Sequence, residues 1–381
     1  MTTVVINAIS VREGGSLVVL RELLGGMSAL RPSWRWQVVV NSQAPALPEL
    51  PKVEYLHLPK VDQSGWRTRL WYEIGLPALL KRVNATLLFS MTNYLPLRRL
   101  SFPALLLVQH AGHFSPVFRQ LTETRLGLAG RAVWRLKGGW VRSSVRVADA
   151  VTVQTEALAD RVVCETGIAH NHITVILHGA GQAMLQPGLV APPPEGEKFR
   201  VGYITKFGVQ KNFAVLFGAM ARLKQEGVPV SLVLTLSEAE PENRAVLESA
   251  WRHGLADVIE NYGELRPDAV ARLYGSLHAF VFPSLCESFG FPMVEAMAHG
   301  LPLLVADTSS NIEVAGAAGV SFPSHDPVAL AGEIERLARN GEWFRQRAQA
   351  SLAHGTEFSW TRAAAETTSL MDALMSGRGD K

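Results

Sequence analysis

Short runs of β-branched residues and leucine recur along the chain, at 3–6, 37–40, 86–89, 104–108, 150–153 and 173–176. Stretches with helical spacing separate several of them, such as 17–30 and 156–166. Continuous apolar strands alternating with helices predict a parallel sheet covered on both faces. A segment rich in proline and glycine, LQPGLVAPPPEGEKF at 185–199, then breaks the pattern. Beyond it the alternation restarts. Strands are predicted at 200–204, 231–236, 279–282 and 302–305, and helices at 213–226, 244–253, 267–276, 292–298 and 327–340.

The expected fold class is therefore α/β, with two domains of similar size joined by a linker. Residues 1–184 form the first, 185–199 the linker and 200–360 the second, and 361–381 form a C-terminal helix that crosses back to the first. Open parallel sheets bind ligands beyond the C-terminal ends of their strands. Two of them facing each other predict a deep cleft that takes a small molecule.

Length and composition fit this picture. A chain of 381 residues exceeds one ordinary core. With 48% hydrophobic and 19% charged residues, the composition excludes a disordered or low-complexity protein. Two cysteines, Cys164 and Cys286, are too few for a disulfide framework and lack metal-ligand spacing, so no metal is predicted. A cytoplasmic setting is the simplest one. The opening MTTVVINAIS reads as a first strand, not a signal peptide. No run of about 18 apolar residues predicts a spanning helix.

The most informative stretch is SLCESFGFPMVEAMAHGLPLL, 284–304. A strand ends at Phe282-Pro283-Ser284, and Pro292 suits the first position of a helix. Glu287 then lies in the loop over a strand end and Glu295 in the first helical turn. Backbone N–H groups from Phe289 to Met293, backed by the helix dipole, predict a phosphate site. Glu295 beside it would accept two hydroxyls of a ribose, and Glu287 would reach a sugar beyond the phosphate. Taken alone, the pair fits equally well a solvated loop acid and a first-turn acid that complements the dipole.

The surrounding residues are more specific. Pro283-Ser284, Glu287-Ser288-Phe289-Gly290, Pro292, Glu295-Ala296-Met297-Ala298-His299-Gly300, Pro302 and Glu313-Val314 together resemble the donor-site signature of family 4 of the retaining glycosyltransferases. Upstream, Gly202 with Lys211-Asn212-Phe213 resembles that family's phosphate-binding segment. Tyr262-Gly263, Leu273-Tyr274 and 279–282 resemble the segment that passes the base. The resemblance is close over most of 200–340. It is loose in the first half, where Gly14-Gly15, His110 and 149–157 carry it.

The resemblance implies the GT-B fold, with two Rossmann-like domains, and transfer of a sugar from a nucleotide-sugar, UDP- or GDP-linked, with retention of configuration and no metal or other cofactor. It places Glu287 near the transferred sugar, Glu295 on the ribose and Lys211 on the diphosphate. Gly14-Gly15 would face the donor phosphates from the other domain, and His110 would face the transferred sugar. Ser288, Phe289, Gly290, Phe291, Tyr262 and Gly263 complete the implied donor site. There is one departure. The family places an arginine directly after the glycine matched by Gly202, whereas Tyr203 stands here, and Lys206 is the nearest candidate for the missing cation.

Three other residues read more plainly. His113 is a lesser alternative to His110, His178-Gly179 reads as a turn near the cleft, and Cys286 as a small filler.

The segment 118–147 holds Arg119, Arg125, Arg131, Arg135, Lys137, Arg142 and Arg146 against Glu123 alone, with Trp134 and Trp140 interleaved. This fits a helix lying on an anionic membrane, with Arg131, Trp134, Arg135, Lys137, Trp140 and Arg142 as contacts, or a long helix with its arginines in water and its tryptophans in the core. No nucleic-acid motif accompanies it. The expected function is hexosyl transfer to a lipid-linked or surface polysaccharide acceptor. Two alternatives remain: an epimerase-type enzyme acting on the same nucleotide-sugar, or a non-catalytic homologue that serves as a binding subunit.

Overall fold

The structure is a computed structural model and describes residues 1–42, 44–58, 61, 64–181, 190–194 and 196–377. The expected boundary at 184/185, and 185–189 of the expected linker, lie outside the described residues. The chain divides into two compact units. Met1–Arg119, Glu123–Gly179 and Ser359 onward form the first, and Gln120–Thr122 with Ala180–Phe358 the second.

The first unit is built on a seven-stranded sheet of β1 (Thr3–Asn7), β2 (Arg35–Asn41), β3 (Val53–Leu58), β4 (Leu87–Ser90), β5 (Ala104–Leu107), β6 (Ala150–Val153) and β7 (Ile173–Val175). The order is β3-β2-β1-β4-β5-β6-β7, and every pair is parallel. Its helices are α1 (Gly14–Leu30), α2 (Gly65–Leu70), α3 (Leu76–Arg82), α4 (Pro116–Glu123), α5 (Leu128–Val147) and α6 (Glu156–Thr166). A π-helical turn, Trp71–Gly75, joins α2 to α3. The central strands are buried on both faces, as their uninterrupted apolar runs require.

The second unit carries a six-stranded parallel sheet of β8 (Phe199–Tyr203), β9 (Val230–Leu234), β10 (Ile259–Asn261), β11 (Ala279–Phe282), β12 (Leu303–Ala306) and β13 (Gly319–Phe322), in the order β10-β9-β8-β11-β12-β13. Helices α7 (Phe213–Gln225), α8 (Pro241–Arg252), α9 (Pro267–Tyr274), α10 (Phe291–Ala298), α11 (Ser309–Ala315), α12 (Pro327–Arg339) and α13 (Gly341–Gly355) cover it. The strand order reverses between β8 and β11. In an open α/β sheet that switch point is where loops diverge and ligands bind.

The final helix, α14 (Trp360–Ser376), belongs to the first unit and packs on α1. The approach is close: a side chain at Gly26 would press on the Ala364 methyl at 2.5 Å. Trp360 stacks on His178, with ring centroids 5.0 Å apart. His178 is buried, and burial pulls its imidazole down to about 3. It is a neutral packing residue under Trp360.

Candidate functional site

Two loops leave the switch point of the second unit, 204–212 after β8 and 283–290 after β11. Lys211 stands on the first and Glu287 on the second. The ammonium of Lys211 donates to Glu287 Oε1 at 2.7 Å, with both side chains mostly buried. Ser284 donates its hydroxyl to the same oxygen at 2.6 Å. The loops are tied by asparagines. Asn212, in the left-handed region at φ 50°, donates to the carbonyls of Pro283 and Ser324. Asn311 donates to the carbonyl of Ser284 at 2.8 Å. These clamps hold the cation and the carboxylate on two separate loops in one place.

Tyr203 explains the departure from the arginine pattern. Its ring is fully buried between Phe213 and Phe282. Its hydroxyl donates to the Lys211 carbonyl at 3.2 Å. Burial first, and the Glu287 charge second, hold the phenol well above its ordinary range, so it stays a neutral donor. The position supports the Lys211 loop from below. Lys206 sits in the exposed part of that loop, paired with Glu264 at 3.0 Å.

Glu295 has a different environment. It is the fifth residue of α10, and the first turn of that helix carries no acid, which corrects its expected place there. Pro292 is correspondingly the second helical residue, not the first. The N–H of Met293 is also taken, by the Gly290 carbonyl at 2.9 Å, so it is not among the donors left for an anion. Tyr274, at the end of α9, donates to Glu295 Oε2 at 2.9 Å. Gly181 lies against the other oxygen, where any side chain would collide with the carboxyl. Burial pushes this carboxyl up to about 7. The ring of His299 stacks on Tyr274 with centroids 5.1 Å apart.

Gly290 caps α10 at φ 90°, and a Cβ there would meet Met293 at 2.5 Å. Only glycine fits such an approach with that backbone angle. Phe289 is buried against Phe291 and Phe358, so its side chain is a core group and only its backbone faces the loop. Ser288 is half-buried beside it. Tyr262 is exposed, accepts from Arg200 at 2.9 Å and donates to Glu260 at 3.3 Å. Gly263 follows it in the left-handed region at φ 68°.

Gly14, Gly15 and His110 belong to the first unit. Gly14 opens α1 at φ 64°, and both glycines are exposed. His110 follows β5 and is exposed. Asn93, at φ 65°, accepts the N–H groups of Gln109 and His110 through Oδ1 and donates to the His110 carbonyl at 3.2 Å. His113 lies beside His110 and stacks on Trp134 with centroids 4.4 Å apart. Burial, then the neighbouring His110, Arg142 and Lys137, pulls its imidazole down to about 3.

Sequence reasoning missed Asn93, Asn311, Ser284 and Tyr274 as supports. Ser284 and Tyr274 stood in the quoted motifs without a role, and Asn93 carried the signal of an asparagine in a turn-rich loop, where left-handed backbone is tolerated.

The six residues expected on a membrane do not form one face. Trp140 donates its indole N–H to the Leu95 carbonyl and packs on Tyr72 and Tyr94. Trp134 covers His113 and Phe118. Neither is an exposed anchor. The exposed apolar residues of α5 are Leu128, Val133 and Leu136. Arg131 donates to the carbonyls of Glu123 and Leu126, and Arg135 pairs with Glu123 at 2.9 Å. Arg142 lies by Gly138 and His113. Lys137 is exposed and has no ion-pair partner among the described residues.

Residues 198–340 match the family model described as "Glycosyl transferases group 1". Over that stretch, less than half of its length, the chain is similar to the group 1 glycosyl transferases. Lys211, Glu287 and Glu295 fall inside the matched stretch, and Gly14, Gly15 and His110 fall outside it.

A D-inositol 3-phosphate glycosyltransferase of Streptomyces bingchenggensis is 29% identical to it over 254 residues, 61% of this chain and 54% of that relative. The serotype-specific mannosyltransferase WbdA of Escherichia coli is 26% identical over 226 residues, 57% of this chain and 28% of that relative. The chain thus spans about half or less of these relatives. Among solved structures, Anabaena Alr3699/HepE in complex with UDP and glucose is similar with a TM-score of 0.70 at 16% identity, covering 98% of this chain and 100% of that one. At that identity the likeness is one of fold, and the fold is GT-B.

Proposed function

We propose that this chain is a retaining glycosyltransferase that moves a hexose from a nucleotide-sugar to a glycan acceptor. The observation that carries the reading is the Lys211–Glu287 pair, set on two loops at the strand-order switch of the matched domain. A cation held there is suited to the leaving diphosphate, whose charge grows as the glycosidic bond breaks. Such preorganised charge lowers the barrier because it interacts more strongly with the transition state than with bound donor.

In this reading Glu287 orients Lys211 and reaches the transferred sugar, and Glu295 takes the ribose hydroxyls. The backbone around Gly290 accepts phosphate, Tyr262-Gly263 border the base, and Lys206 swings from its exposed partner towards the diphosphate. Gly14-Gly15 and His110 serve the donor from the first unit. A UDP-sugar is the first choice of donor, because the similar Anabaena protein was solved with UDP and glucose.

The acceptor in this reading is a lipid-linked or surface polysaccharide, and α5 attaches the protein to an anionic membrane. Leu128, Val133, Leu136 and Lys137 take the place of the tryptophans in that contact. The deciding experiment screens hydrolysis and thermal stabilisation with UDP-, GDP-, ADP- and dTDP-sugars. One donor should be hydrolysed slowly without acceptor and should raise the melting temperature. Stabilisation by none of them would sink the reading. Turnover to an epimer would favour the epimerase alternative.

A further inference from the structure

Glu295 is gripped twice by one pair of rings. Its carboxyl accepts the Tyr274 phenol at 2.9 Å, and its own backbone carbonyl lies 2.8 Å from His299 Nδ1. The two rings stack on each other, with centroids 5.1 Å apart and planes 18° apart. Carboxyl, phenol, imidazole and carbonyl thus form a closed circuit that starts and ends on one residue. Turning the Glu295 side chain to another rotamer would break the phenol bond or the stack. Gly181 closes a further side, where a Cβ would collide with Oε1.

The protons can be assigned from the chemistry of the partners. Burial, opposed by the bond to the Glu295 carbonyl, holds the His299 imidazole below its ordinary range, so it is neutral at working pH. A carbonyl oxygen only accepts, so Nδ1 carries the proton and Nε2 is bare. Nε2 is buried and has no hydrogen-bond partner among the described residues. Tyr274 is fully buried and has one proton with two acceptors in reach, the carboxyl and, at 3.4 Å, the Pro292 carbonyl. The shorter bond, to a group that can carry charge, takes it.

A buried nitrogen without a partner costs stability. Phenylalanine in place of His299 would stack on Tyr274 and leave nothing unpaired, and the Glu295 carbonyl would keep the backbone N–H of residue 299 at 3.2 Å. The imidazole is a poor choice for packing alone, and departures of this kind gather at functional sites. We propose that Tyr274 and His299 are positioning residues that together hold the Glu295 carboxyl in place for the hydroxyls of a ribose. This rests on the glycosyltransferase reading and deepens it. The phenol bond favours the ionised carboxyl against the burial that opposes it. Tyr274 from α9 and His299 at the end of α10 are the titratable groups facing Glu295 among the described residues, and Gly181 brings none.

The test starts without ligand. Carboxyl NMR of protein labelled at glutamate follows the Glu295 titration, with its signal assigned by absence in Glu295→Gln. The wild-type midpoint should lie at about 7. Tyr274→Phe, shown folded by circular dichroism, should move it up by about one pH unit, the loss of one hydrogen bond to the ionised form. His299→Phe should move it the same way by less, while its melting temperature holds or rises. Calorimetric titration with UDP and with 2′-deoxy-UDP at neutral pH then reads the orientation. Wild type should prefer UDP by roughly tenfold or more, since the deoxy compound leaves a buried carboxylate short of a partner. Both variants should lose several-fold of that preference.

An unmoved midpoint in Tyr274→Phe overturns the proposal, even if UDP binds. Wild-type behaviour of His299→Phe in both titrations overturns it as well, and so does a preference for UDP that survives both variants intact. Donor hydrolysis by the same wild-type sample separates the two readings. Hydrolysis with unmoved midpoints sinks the positioning role alone. Moved midpoints, with neither hydrolysis nor binding of UDP, support the grip on Glu295 and sink the donor assignment.

Discussion

Glu287 and Glu295 are eight positions apart, yet they occupy opposite kinds of environment. Glu287 sits against an ammonium and a serine hydroxyl, at 2.7 and 2.6 Å. Glu295 has a neutral phenol on one side and a glycine pressed on the other. The first is paired with a lysine from another loop. The second is held near neutrality by burial, at about 7. One motif thus supplies a carboxylate that orients a lysine from another loop and a carboxyl that ionises within the working pH range. The loop provides the first because its partner comes from a different strand end, and the helix provides the second because it turns the side chain inward.

The strongest way to break this contrast is Lys211→Ala. It should cut turnover by about a hundredfold or more, because the lost charge acts mainly in the transition state. Steady-state kinetics check it; a change confined to the donor Michaelis constant would show that Lys211 only binds.

Glu295→Gln should weaken nucleoside diphosphate binding by roughly ten- to a hundredfold, the loss of a charge-assisted pair of hydrogen bonds. The pH dependence sharpens the point. Wild-type affinity should rise as pH increases through about 7, where the Glu295 carboxyl ionises, and the glutamine variant should be flat. Stability has the opposite sign. The folded carboxyl keeps its proton up to about 7 and the unfolded one releases it near 4.5, so stability present below 4.5 is lost as pH rises between the two. Denaturant titrations across that window should show the loss in wild type and a smaller one in Glu295→Gln.

Tyr203→Phe removes the support under Lys211 while keeping the ring. It should cost about 0.5–1.5 kcal/mol of stability and lower turnover only several-fold. Turnover loss equal to that of Lys211→Ala would mean that the hydroxyl touches the substrate. Lys206→Ala comes last. Its exposed pair with Glu264 is worth about 0.2–1 kcal/mol, so melting temperature should barely move. A modest rise in the donor Michaelis constant at low salt, vanishing at high salt, is the expected sign of a diphosphate role.

Sheet interiors were legible in the sequence, and of the four sheet edges only β7 was. The runs that predicted β1, β4, β6 and β11 are central strands, buried throughout. The strands that went unpredicted, β3, β10 and β13, all lie at sheet edges. Val53–Leu58 is half exposed, so its sequence, VEYLHL, carries too few apolar positions to stand out from a loop. The family signature pointed to Glu287, Glu295 and Lys211 because motif residues are neighbours in sequence. It could not show that Tyr274, 21 residues before Glu295, closes on that carboxyl. It also could not show that Trp140 turns inward, since interleaved arginines and tryptophans look the same on either helix face.

The pairing of α1 with α14 has a consequence for how the molecule is made. Arg31 and Asp372, which meet across it, are 341 positions apart. A ribosome exposes the Gly26 side of α1, on which α14 packs, long before its cover exists. At about 5–20 residues per second, that interval is tens of seconds. Once β7 has emerged the amino-terminal sheet is complete except for this lid, and the nascent chain waits with α1 uncovered. Its yield in a cell would then follow elongation speed and chaperone supply more closely than it follows the stability of the finished fold.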